Sequence, residues 1–286
     1  AAARGLLLGD RRIGTVAGTY FVATGLRLLL GLALVFPFGV AGALAATVLA
    51  EVAVLLVALR PLHAAGDRPG AGLRLGAVTH AGIAVTGLFL FSTADLLLAR
   101  HHLAGDASGA YVAAATIAKT VLALPAGIMA AVFPRLLTAW GRPGRGRALL
   151  SGGVAVTGPA LLGGAVIAAL PGLVLAVLYG DAYGDQTALV RTLAGVAALS
   201  SIVTLLTNAA LARDSRTIAV PWLGAVLEVA LIEVWHDSAA QIALCSVAAL
   251  VPTLLAMLLL EGRAWRRAPQ VAAAPAESSA TAASAA

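Results

Sequence analysis

The chain has 286 residues, 60% of them hydrophobic and only 11% charged, with a mean hydropathy of +0.96. That composition excludes a soluble globular domain. The formal charge of +6 falls mostly on connections between apolar stretches, which removes nucleic acid as its explanation, and a lone cysteine, Cys245, excludes a disulfide framework or a cysteine metal cluster.

The pattern predicts an all-α fold, a polytopic transmembrane bundle of eight spans at 13–35, 40–59, 75–98, 110–134, 148–170, 187–211, 217–235 and 239–260. Each is long enough to cross a hydrocarbon core of roughly 30 Å at 1.5 Å per residue. The chain opens on AAARGLLLGD, without the n-region, h-region and cleavage site of a signal peptide, and reads as a cut through a longer protein. Spans one and two flank a tight turn at FPFG, 36–39. Arg27 lies roughly 16 Å and Glu51 roughly 20 Å from that turn, close enough in depth to pair. A Gly/Pro-containing linker, 60–74, leads to span three, which carries His80 and Asp95. His101, His102 and Asp106 follow in an outer loop. Adjacent histidines point in different directions, so no metal site is expected there. Span four carries Lys119, the one lysine in the chain, and Pro125.

Span five contains Pro159. The segment 171–186 is apolar before it turns acidic, and either extends span five past a kink at Pro171 or lies at the interface. Span six carries Arg191 near its outer end, span seven Glu228 at mid-depth, and span eight Cys245 and Pro252. Glu233, His236 and Asp237 lie near the outer end of span seven, where water reaches them. The residues 261–286 form a cytoplasmic tail, low in complexity and disordered from 266 on.

Fifteen of the 19 basic residues fall before span one, on alternate connections after it, and after span eight. Loops rich in arginine stay in the cytoplasm, so both termini are expected inside a plasma membrane. The same loops attract anionic membrane lipids. Eighteen arginines against one lysine, with abundant Ala and Gly, suggest a GC-rich bacterial genome.

A charge at mid-bilayer costs at least ~2.5–3.5 kcal/mol, which makes embedded ionisable residues the functional candidates. Depth assigns Arg27, Lys119 and Arg191 to a substrate cavity. It assigns Glu51, Asp95 and Glu228 to coupling or counter-charge. Prolines inside spans remove a backbone donor and bend the helix, giving hinge roles to Pro125 and Pro159. No HExxH, GxSxG or P-loop pattern occurs, and no catalytic residue, metal or cofactor is expected. GDRRIGTVAG before span one resembles RDSRTIAVPWLG before span seven at an offset of 204, in the sense of a parallel repeat.

The run STADLLLARHHLAGDASGAYVAAATIAKTVLALPAGIMAAVFPRL resembles the polysaccharide-biosynthesis flippases of the MOP (MATE-like) exporter superfamily. The matching positions are Asp95, Leu103, Gly109, Tyr111, Phe133, Pro134 and Arg135. LYGDAYGDQ at 178–186 is similar to the family's Phe-Gly-x-x-Tyr element, with Gly180 and Tyr183 in place and Tyr179 where the family has Phe. RGLLLGDRRIG at 4–14 is similar to the family's entry to helix five. The resemblance implies a fold of twelve or more helices in two lobes. Residues 1–59 would then be the last two helices of the first lobe, 60–74 the linker between lobes, and 75–260 a second lobe of six helices. It also implies transport of a lipid-linked oligosaccharide across the bacterial plasma membrane by alternating access. A cationic cavity would suit the pyrophosphate, and a proton or sodium ion would serve as coupling cation. Alternatives are a multidrug exporter of the same superfamily, a peptidoglycan-lipid flippase, and a membrane glycosyltransferase or ligase. The last would need a catalytic extramembrane loop, and the outer loops here are short.

Overall fold

The computed structural model describes residues 13–64, 75–123, 125, 127–129, 132 and 145–267. Among them every regular element is helical. The elements are α1 (Ile13–Ala64), α2 (Leu75–His102), α3 (Gly105–Thr120), α4 (Arg145–Ala169), α5 (Pro171–Tyr179), α6 (Thr187–Ala212), α7 (Val220–Val234) and α8 (Ala239–Arg267). Single 3₁₀ turns precede α6 and α7, at Gly180–Tyr183 and Arg216–Ala219. Six of these helical stretches are long and apolar enough to cross a membrane: Phe21–Leu56, Val78–His102, Leu150–Ala169, Thr187–Ala212, Arg216–Val234 and Ala239–Arg267. The chain is therefore a membrane protein with several helices of spanning character. Its entry 1–12, the connections 65–74 and 133–144, and the tail 268–286 lie outside the described residues.

The chain forms two compact units, Ala1–Leu73 and Arg74–Ala286. In the first, α1 is interrupted at Gly39, whose backbone (φ 55°, ψ −133°) is open to glycine and strained for any L side chain. The chain reverses there. The Leu34 carbonyl lies against the Cα of Gly42, and Arg27 meets Glu51, residues that a straight helix would hold about 36 Å apart. The reversal falls on the last residue of the FPFG turn.

In the second unit α6 is the most enclosed helix, packed by α4, α8 and α3. Small residues set the spacing: Gly164 of α4 faces Ala198 of α6 so closely that a methyl on the glycine would overlap it. α7 lies against α2 and α8, and the Trp222 indole donates to the Ile83 carbonyl of α2 at 2.8 Å. The core runs through Ala99, Tyr111, Ile117, Leu175, Val190, Leu193, Ile232 and Ile242. Large apolar side chains such as Leu150, Val177, Leu223 and Val234 face outward. That inversion of the soluble pattern is expected where the solvent is lipid.

Two expectations change. Span four is not one helix, because α3 ends at Thr120 and Val121–Leu122 form a turn. Pro125 accounts for it: its ring displaces the carbonyl four residues earlier, that of Val121, and it offers no N–H in return. Second, α8 continues through Arg267, and Glu261 is buried, so the tail does not begin at 261. The segment 171–186 follows the first of its two alternatives, continuing span five past Pro171 in the helix α5. The bond from Leu170 N to Val166 O and that from Val174 N to Leu170 O carry the α4 ladder across a one-residue break, and Pro171 opens α5. Pro159 lies inside α4, which continues past it.

Candidate functional site

The break before Pro125 positions the first functional group. It makes Lys119 a last-turn residue of α3, where the carbonyl end of the helix favours a cation. Side chains on a helix lean toward its N-terminus, so Lys119 reaches back toward the α2–α3 loop. Asp95 stands about 10 Å below the end of α2 at His102, and Glu228 about 9 Å from the end of α7 at Val234. Their depths converge.

Lys119 Nζ lies 2.7 Å from Asp95 Oδ1. The Tyr111 hydroxyl donates to Asp95 Oδ2 at 3.1 Å. Both carboxylate oxygens of a buried aspartate are thus engaged. Glu228, 3% exposed, enters from α7. Gly224, one turn earlier on the same face, allows the approach. A Cβ there would overlap Thr253 Oγ1 of α8 and come within 3.0 Å of the Phe91 ring of α2. Glu228 Oε2 is buried without a hydrogen-bond partner among the described residues. Glu228 lines a cavity of about 30 Å³ together with Asp95, Lys119, Ser92 and Ser200. That volume holds about two waters, at ~10–15 Å³ each by this measure.

The structure therefore brings together Asp95, Lys119 and Glu228, and adds Tyr111, a motif position to which the sequence reading gave no role. Lys119 is paired with Asp95 and lines the same cavity. Arg191 is elsewhere: exposed, its Nε donates to the Ala168 carbonyl at 3.1 Å and so caps the end of α4. In the other unit Arg27 Nη2 lies 3.0 Å from Glu51 Oε1, each side chain about half exposed.

A second charged cluster escaped the sequence reading. Arg213, in the turn after α6, pairs with Glu261 of α8, and Thr217 Oγ1 donates to the other Glu261 oxygen at 2.6 Å. Ser215 joins through Thr217 at 2.9 Å. Arg213 had been counted only as a cytoplasmic charge, and Glu261 lay past the last apolar run. The signal was a stripe on α8 at helical spacing, Ser246, Leu250, Thr253, Met257 and Glu261, all of which are buried. His80 Nε2 approaches Asp214 of the same turn at 3.3 Å.

At the opposite end the His102 and His236 rings stack at 4.0 Å, and His102 Nε2 lies 3.4 Å from Glu233 Oε1. Among the described residues no group of three His, Cys, Asp or Glu is arranged to hold a metal. Comparison with protein-family models, with curated proteins and with solved structures finds no match to this chain.

Proposed function

We propose that this chain is the transport core of a flippase of the polysaccharide-biosynthesis type, moving a lipid-linked oligosaccharide across a bacterial plasma membrane by alternating access. One observation carries the reading: a buried acid–base cluster, Asp95, Lys119, Tyr111 and Glu228, sits beside a small cavity deep in an apolar helical bundle. Embedded charge of that kind marks a substrate or ion pathway. The positions carrying the resemblance also meet: Tyr111 bonds Asp95, and the Tyr183 hydroxyl lies 3.3 Å from where a Cβ on Gly109 would stand. Counting the two halves of α1 separately, and the helical residues around Pro125 with α3, the membrane is crossed eight times, with both termini cytoplasmic. Residues 75–260 are then the second lobe and residues 1–59 the end of the first. Catalysis has no part in this reading.

A second reading has one observation in its favour. With Lys119 neutralised by Asp95, the cluster contains one more carboxylate than cations, which suits export of a cationic small molecule. Proteoliposomes carrying the protein decide between them. Movement of a pyrophosphate-linked oligosaccharide lipid between leaflets, lost in Lys119→Ala and retained in Lys119→Arg, is the expected result. Absence of that movement in the unaltered protein, together with export of a cationic drug, overturns the flippase reading.

A further inference from the structure

We infer that Glu228 is a proton-binding site, loaded from the small cavity that it shares with Asp95 and Lys119. Glu228 is 3% exposed and lines that cavity, and its Oε2 is buried without a hydrogen-bond partner among the described residues. A buried carboxylate left in that condition is costly, and it is relieved by a cation or by a proton. The facing groups decide which. α2 presents Asp95, an anion that repels a second anion. α3 presents Lys119 and Tyr111, both already bonded to Asp95. α8 presents Ser246 and the Cys245 thiol, and α6 presents Ser200, which does not titrate.

The one ammonium lining the cavity already pairs with Asp95, so two carboxylates share a single cation. A metal cation entering the cavity would sit beside that ammonium and would need several oxygen ligands in a space for about two waters. A proton needs neither. A hydronium ion reaching the cavity gives its proton to the Glu228 carboxylate and is left as water, with a neutral acid beside a neutral Asp95–Lys119 pair. What the proton does for transport rests on the transporter reading; the binding itself does not.

Infrared difference spectroscopy on the protein in lipid vesicles, between acid and alkaline pH, tests it. The expected result is a protonated-carboxyl band that disappears on alkalinisation, is absent in Glu228→Gln and persists in Glu233→Gln, whose exposed carboxylate lies at the outer end. Glutamine copies the shape of the protonated acid, so the variant keeps the fold. Sodium added at fixed pH should leave the band of the unaltered protein unchanged. A band that survives Glu228→Gln, or one discharged by sodium, overturns the inference. A normal titration in vesicles that move no lipid would instead refute only the transporter reading.

Discussion

Replacing Lys119 with methionine keeps the length of the side chain and removes its charge. The pair it breaks spans 2.7 Å between a buried carboxylate and an ammonium one quarter exposed. At an effective dielectric of about 20 the gross attraction is about 6 kcal/mol. Desolvation of both ions offsets much of it, and the cost of removing one partner from a buried pair is about 3–5 kcal/mol. Asp95 would retain the Tyr111 hydroxyl, which places Lys119→Met near the lower figure. Asp95→Asn should cost a similar amount, because it leaves the ammonium without its counter-charge. The double variant leaves neither ion uncompensated, so it should cost about 2–3 kcal/mol less than the sum of the singles. Reversible unfolding by dodecyl sulfate in mixed micelles, followed by tryptophan fluorescence, reads all four proteins. Each single change then shifts the folding equilibrium by roughly 100-fold. Additivity of the two singles within about 0.5 kcal/mol would refute the argument that they act as a pair.

Gly224→Val should destabilise by about 1–3 kcal/mol, because the new side chain overlaps Thr253 and presses on Phe91; an unchanged thermal midpoint in detergent would remove the close approach as the reason for glycine. Gly39→Ala should cost about 1–3 kcal/mol for a backbone at φ 55°, ψ −133°, seen as earlier unfolding in the same micelle titration. Arg213→Met strands Glu261, which is 1% exposed, and should cost about 3–5 kcal/mol. Glu261→Met added to it should recover part of that loss, and no recovery would show that Thr217 and Ser215, not charge, dominate the turn.

Much of the architecture is legible in the sequence, because hydrophobic length and helix period are local properties. The boundaries of α2, α4, α6 and α7 fall within a few residues of the apolar runs, and the meeting of Arg27 with Glu51 follows from depth around one turn. Partnership between distant helices is not local. Depth placed Asp95 and Lys119 in neighbouring spans without pairing them, since nothing in the sequence fixes which way α2 and α3 rotate about their axes. That rotation is what turns Asp95 toward Lys119. The break in span four was legible in principle: Pro125 names Val121 as the carbonyl it displaces, and the reading stopped at a bend. Glu261 was lost because the helix outlasts the hydrophobicity used to find it.

The reversal at Gly39 governs the order in which this protein can be made. Ribosomes deliver roughly 5–20 residues per second. Arg27 is therefore synthesised roughly 1–5 s before Glu51, which lies 24 positions later. Throughout that interval its guanidinium lacks the carboxylate it meets across the turn, and entry of the first half of α1 into lipid on its own would cost at least ~2.5–3.5 kcal/mol for the charge. Entry of the two halves together would bring the guanidinium in already paired with Glu51, so the turn at Gly39 favours joint over stepwise insertion.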